Sequence, residues 1–201
     1  MSGKIEKVNS LFETKFLSLY DINYKNKLNK SKSWIVASRK DLSELEEVYY
    51  QNKEDNIDAV VIVPFHKKQN KLVLIKQYRV PINDYIYEMP AGLVDNKEDI
   101  YSAVKRELKE ETGLDIISMC EMSKDKLYLS PGMTDESVAL TYCVCDGEIS
   151  YEYQEEDEDI KIVLVSQEEA MSLLKTNEKI DAKTYLVLQL FIMLGEKLFI
   201  K

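Results

Sequence analysis

Glu107, Glu110 and Glu111 stand in the run KRELKEETG, at positions i, i+3 and i+4. On a helix that spacing puts all three carboxylates on one face. Like charges gathered this way repel, and they weaken the helix unless a cation sits among them. Hard divalent cations take oxygen ligands, and Mg2+ binds through one or two carboxylates together with substrate phosphates. The chemistry this favours is that of a divalent metal ion held by carboxylates and shared with phosphates. A charge run is more often a plain solvated face. Against that stand Gly92, Glu98, Arg106 and Gly113 with aliphatic Leu108 and Leu114, in the spacing G-x5-E-x7-R-E-U-x-E-E-x-G-U, where U is aliphatic. With each fixed residue used at roughly 7%, the seven coincide by chance in about one of 10^8 windows.

A helix has to carry these residues, and the local sequence predicts one. Asp95 and Asn96 are good N-cap residues, with Glu98 and Asp99 three positions on to close a capping box. Gly113 supplies the left-handed residue that ends the helix. Ile100, Val104 and Leu108 form an adjoining apolar stripe suited to packing on a sheet. The sheet is predicted from apolar runs at residues 59–65, 72–78, 85–89, 118–129, 138–145 and 160–165. Ser166 and Glu169 make a capping box for a helix to about residue 175, and a last helix spans about 182–198. Residues 1–57 form a small antiparallel β unit with strands at 16–22 and 33–38 joined by a Lys- and Asn-rich turn, while 58–201 form the main domain. The order of strands and helices fits an α/β sandwich with a mixed sheet between helices.

The 201 residues carry a formal net charge of -9, which argues against a nucleic-acid surface. An acidic chain that handles phosphates has to neutralise them locally, so Arg39, Arg79 and Arg106 matter more than the abundant lysines. Cys120, Cys143 and Cys145 offer no zinc spacing and read as core residues in a reducing, cytoplasmic compartment. No secretory h-region opens the chain, and the apolar stretch 186–194 is too short to cross a bilayer, so no membrane partner is expected. The single histidine, His66, reads as a strand-end residue, which leaves little room for a Ser-His-Asp mechanism.

The segment from Gly92 to Leu114 matches the Nudix box with no departure, so the chain resembles the Nudix hydrolases. Flanking motifs narrow the resemblance to the ADP-ribose pyrophosphatase branch. They are Gln77-Tyr78-Arg79, Glu88-Met89-Pro90-Ala91, Ser130-Pro131-Gly132-Met133-Thr134-Asp135-Glu136, the acidic run before Ile160, and the segment from Trp34 to Arg39. The resemblance implies metal coordination by Glu107, Glu111 and the Ala91 carbonyl, with Glu110 as a further or supporting ligand. Two or three Mg2+ or Mn2+ ions would bind with substrate. Arg106 would orient the box carboxylates, pairing with Glu98. Arg79 would contact the diphosphate, its fork held by Glu88. Phe16 and Trp34 occupy the positions where this branch places aromatics around the adenine, and Arg39 would reach the base or phosphate edge. In such enzymes the two aromatics come from different subunits of a homodimer that exchanges its N-terminal strands. Taken without the resemblance, Phe16 and Trp34 read as ordinary strand packing. About 57 residues are too few for a core of their own, so Phe16 and Trp34 would have to pack against the main domain or a partner subunit, and the resemblance points to the partner.

The implied reaction is attack of water on one phosphorus of ADP-ribose, giving AMP and ribose 5-phosphate. A loop carboxylate would accept the proton: Glu158 and Glu156 are the first candidates and Glu136 the rival. Another nucleoside diphosphate sugar is the alternative substrate, because the box handles only diphosphate and metal. A non-catalytic ADP-ribose-sensing module is a different class of reading. It expects an eroded box and an added DNA-binding segment, whereas this box is intact.

Overall fold

Runs of β-branched and aromatic residues, closed by Asn and Gly turns, set the strands of this chain. The computed structural model describes residues 4–154 and 159–200. The chain divides into two compact units, one of residues 1–58 with 126–138, the other of 59–125 with 139–201.

The first unit is built on a three-stranded antiparallel sheet in the order β1 (Ile5–Glu13), β2 (Ser18–Lys25), β3 (Ser31–Ser38). β2 and β3 pair without a break from Ser18↔Ser38 to Lys25↔Ser31. Their turn is closed by the Asn26 side chain, which accepts from the amides of Leu28 and Lys30 at 2.9 and 3.0 Å, and by Asn29 at φ 59. Helix α1 (Leu42–Gln51) follows, with a capping box between Asp41 and Glu44 and a left-handed end at Asn52. Its Leu45 is fully buried with Val8, Tyr20 and Ile22. The unit therefore has a small core of its own, contrary to the expectation from its length. The sequence reading missed both β1 and α1, and α1 supplies the second layer that a lone hairpin lacks.

The second unit is a mixed sheet with helices. Its strands are β4 (Ala59–His66), β5 (Lys71–Arg79), β6 (Asp84–Glu88), β7 (Ala91–Leu93), β8 (Asp115–Met119), β9 (Lys124–Tyr128), β10 (Ser137–Asp146) and β11 (Ile160–Val165), with residues 126–128 of β9 and 137–138 of β10 counted in the first unit. The order is β11-β5-β4-β10-β8, with β6 on β5, β7 on β4 and β9 on β10. The helices are α2 (Ile100–Thr112), α3 (Gln167–Leu173) and α4 (Ala182–Leu194). Helix α2 packs against β4 and β7, α3 against β11, and α4 against β6. The β4 and β5 apolar runs and the α2 stripe residues Val104 and Leu108 are buried together with Leu188 and Phe191 of α4. Phe65 stacks on Phe199 with ring centroids 4.9 Å apart.

Three boundaries differ from expectation. The strand expected over 118–129 is two strands, β8 and β9, broken where Ser123 turns back to donate to the Cys120 carbonyl at 2.8 Å. The last helix stops at Leu194, because Gly195 at φ 57 leaves the helical region and a 3-10 turn, Gly195–Phe199, follows. The start of α2 also shifts, as described below. His66 ends β4, with Nε2 3.1 Å from the Gly147 carbonyl oxygen and Nδ1 accepting from Gln69 N at 3.4 Å. Cys120, Cys143 and Cys145 are buried thiols, and burial pushes Cys145 up to about 12, Asp146 adding to it.

Candidate active site

The acidic helix begins later than its sequence suggests. Lys97 adopts φ 70, which no α-helix accommodates, so Asp95 and Asn96 stay outside it. Asp99 is the N-cap, accepting from Ser102 N at 3.0 Å. Ahead of it Asp95 and Glu98 close a small turn, Glu98 N donating to the Asp95 carbonyl at 3.0 Å and Asp95 N to Glu98 Oε2 at 3.1 Å. The turn aims the Glu98 carboxylate at Arg106. At the other end Gly113 sits at φ 75 and donates to the Lys109 carbonyl.

Arg106 is the hub of the acidic face. Its Nε and Nη2 grip the two Glu98 oxygens at 3.1 and 2.8 Å, a bidentate fork. Nη2 also donates to the Leu93 carbonyl at 2.9 Å, while Nη1 donates to Glu107 Oε1 at 2.7 Å and Glu110 Oε2 at 3.1 Å. All its donor nitrogens are used, on three carboxylates and one carbonyl. Glu98, ahead of Glu107 and Glu110, holds the guanidinium above its usual range despite partial burial, and Arg106 in turn holds the Glu98 carboxyl below its usual value.

Glu107 and Glu111 turn inward toward β7, with 8% and 1% of their surface exposed. Glu111 Oε2 accepts from Ala91 N at 3.1 Å. Glu107 lies so close to Gly92 that a β-carbon there would overlap its carboxylate. Two carboxylates are thus held in a largely dry cradle against the Ala91–Gly92 backbone. Hard oxygen donors brought together this way, one of them in the space that only glycine leaves, fit a divalent cation. Among the described residues no three His, Cys, Asp or Glu side chains already converge as a metal cage, because Arg106 draws Glu107 and Glu110 to itself. An ion at this face therefore competes with Arg106 for their oxygens.

Arg79 and Glu88, on neighbouring β5 and β6, form a second pair, with Arg79 Nε donating to Glu88 Oε2 at 2.7 Å. This contact uses one of the guanidinium's five N–H donors. A cleft of about 560 Å³ lined by Lys76, Asp84, Tyr85, Lys161, Glu178 and Lys179 holds none of the predicted site residues. Lys76 pairs there with Glu178 and Lys179 with Asp84, each at 2.7 Å, so the cleft is an ion-paired surface.

In the first unit, Phe16 is 64% exposed with Lys15 Nζ 4.8 Å from its ring centre. Trp34 is 52% exposed, and its indole Nε1 donates to the Gly132 carbonyl at 3.1 Å. Arg39 Nε donates to Glu136 Oε1 at 2.7 Å, so two residues singled out separately in the sequence are an ion pair. Sequence reasoning had no means to find it, since the partners lie on segments with no shared periodicity. Glu156 and Glu158 lie outside the described residues.

The NUDIX domain model matches residues 55–188, which contain the whole acidic helix and its glycines. The chain belongs to the Nudix family. Among this Nudix protein's relatives, ADP-ribose pyrophosphatase of Bacillus subtilis is 33% identical over 123 residues, 60% of this chain and 65% of the relative. The match thus spans just under two thirds of that protein. GDP-mannose pyrophosphatase of Yersinia pestis is 28% identical over 199 residues, covering 94% of this chain and 92% of the relative. A solved structure described as ADP compounds hydrolase superposes with a TM-score of 0.71 at 21% identity, over 94% of this chain and 92% of that one, which shows the Nudix fold.

Proposed function

We propose that this Nudix protein is a metal-dependent pyrophosphohydrolase that cleaves the diphosphate of ADP-ribose, with water, to AMP and ribose 5-phosphate. The observation that carries the reading is the inward pair Glu107 and Glu111, held against Ala91–Gly92 beside the Arg106 fork. Glu107, Glu111, Glu110 and the Ala91 carbonyl would hold two or three Mg2+ or Mn2+ ions with substrate. When bound, such ions supply charge neutralisation at the phosphates and a more acidic water. Arg106 keeps the box carboxylates oriented. Arg79, braced by Glu88, has the remaining donors of its fork for a diphosphate oxygen. Proton acceptance falls to Glu158, Glu156 or Glu136; of these Glu136 is paired with Arg39.

Similarity to ADP-ribose pyrophosphatase of Bacillus subtilis supports this substrate, while the near full-length match to GDP-mannose pyrophosphatase supports another nucleoside diphosphate sugar. Incubating the purified chain and Mg2+ with ADP-ribose, GDP-mannose and related compounds, and separating the products, decides between them. AMP as the main product from ADP-ribose is the expected result. Turnover of none of the panel would remove the enzymatic reading in favour of a ligand sensor.

Phe16, Trp34 and Arg39 are the proposed base contacts. Trp34→Ala is expected to raise KM for ADP-ribose about tenfold or more with a smaller change in kcat, since stacking on a base contributes roughly 1–3 kcal/mol. Unchanged KM in a less stable variant would return Trp34 to a packing role.

A homodimer is part of the proposal. The three-stranded sheet sets Phe12 beside Leu19 in register and shows Ile35 on β3, and these residues are 64%, 39% and 51% exposed. Exposed apolar side chains gathered on one sheet mark an interaction surface. Sedimentation at micromolar concentration is expected to give twice the chain mass. Mixing Phe16→Ala with Glu111→Gln is expected to restore part of the activity each lacks; a fully active monomer would refute the shared site. Among the described residues no helix is long and apolar enough to cross a membrane. The buried thiols accord with the cytoplasmic placement we propose.

A further inference from the structure

In the first unit, the end of β3 and the loop 130–137 lie side by side, contact for contact. Trp34 donates to the Gly132 carbonyl at 3.1 Å and Ala37 N to the Met133 carbonyl at 3.0 Å, with a parallel bridge from Ala37 to Thr134. Ser38 Oγ donates to Asp135 Oδ2 at 3.0 Å and Arg39 Nε to Glu136 Oε1 at 2.7 Å. Behind this row stands Lys40, whose side chain is only 11% exposed. Its ammonium lies 3.1 Å from Asp135 Oδ2, 3.4 Å from Asp58 Oδ1 and 3.0 Å from Asp55 Oδ1.

The same carboxylates hold both ends of the loop. Lys126 Nζ pairs with Asp55 Oδ2 at 2.7 Å, and Ser137 N donates to Asp58 Oδ2 at 2.7 Å while its carbonyl accepts from Asp58 N at 2.9 Å. The Lys40 backbone is itself fixed, because the hydroxyl of fully buried Tyr20 donates to its carbonyl at 3.0 Å. Burial alone would push the Lys40 ammonium down, but Asp135, Asp58 and Asp55 together overcome it and hold the group above the usual lysine value. Without the ammonium, three half-buried like charges would face one another with Lys126 alone to offset them. Of the three carboxylates, Asp135 is the one on the loop itself, between Thr134 and Glu136 in the chain.

We propose that Lys40 is a positioning residue, a charged clasp that keeps the 130–137 loop in register with the end of β3 and so fixes how Trp34, Arg39 and Glu136 are presented. The link to substrate rests on the reading of those three residues given above; the clasp itself does not. No metal or ligand is needed at the cluster, because its cation is already built in.

Lys40→Met, Asp135→Asn and the double variant, each in the full chain, test it by hydrogen exchange and by kinetics with ADP-ribose. Exchange at the Ala37 and Ser137 amides is expected to quicken about tenfold or more in Lys40→Met while amides of the β1–β2 pairing hold near wild type. KM is expected to rise about tenfold with kcat changed by less than about threefold, the mark of lost binding geometry. The double variant should be less affected than the two single effects combined, because both act on one contact. Should Lys40→Met fail to fold, Asp135→Asn carries the same readouts. Exchange that quickens evenly across the unit, or full additivity, would overturn the clasp. A freed loop with unchanged KM would overturn its link to substrate. If the wild-type chain turned over no nucleotide sugar, the functional reading would fall while the exchange data still decided the clasp.

Discussion

Glu111→Gln is expected to leave the fold in place and to lower kcat by at least about 10^2-fold. Glu111 is 1% exposed and accepts a hydrogen bond from Ala91 N at 3.1 Å. The amide oxygen of glutamine can keep that hydrogen bond, so the packing of α2 on β7 should survive. What the substitution removes is one negative charge, and a divalent ion held by carboxylates loses most from that change. The measurement is kcat at saturating Mg2+ beside a thermal melt. Half of wild-type activity with an unchanged melting temperature would take Glu111 out of the proposed metal set.

Much of this was legible in the sequence because it depended on spacing within one element. The acidic face, its arginine and the glycine that ends α2 follow from helical periodicity and the left-handed preference of glycine. The α/β sandwich followed from the order of apolar runs, and the Nudix fold from the resemblance carried by the segment from Gly92 to Leu114. The start of α2 did not, because Asp95, Asn96 and Asp99 are all competent caps, and only the positive φ of Lys97 selects Asp99. Helix α1 was missed although Asp41 and Glu44 form a capping box, because it is short and mostly polar. The capping-box signature of Asp41 and Glu44 was the one sequence signal for it. The pairing of Arg39 with Glu136 and of Lys40 with Asp135 spans some ninety-odd positions of chain, and no local rule reaches so far. Charge-bearing loops show their partners only once the strands that carry them are in register.

Two glycines that flank the acidic helix separate its chemistry from its stability, and they give the second large expected effect. A β-carbon at Gly92 would overlap the Glu107 carboxylate, the far end of a flexible side chain. Gly92→Ala should therefore fold, with Glu107 pushed from its place 2.7 Å from Arg106 Nη1. Catalytic carboxylates tolerate little misplacement, and an error of about 1 Å can cost on the order of 10^2 in rate. A β-carbon at Gly113 would instead meet the Ser150 backbone nitrogen at 2.6 Å, with φ at +75. Backbone cannot swing aside, so Gly113→Ala should destabilise by more than about 1 kcal/mol through strain. Melting temperature and kcat measured together on both variants are expected to split: Gly92→Ala loses about 10^2-fold in kcat with a small thermal shift, and Gly113→Ala the reverse. Wild-type turnover in Gly92→Ala would show that the position of the Glu107 carboxylate beside Arg106 is not what the reaction uses, and the proposed ligand set would have to be rebuilt around Glu110 and Glu111.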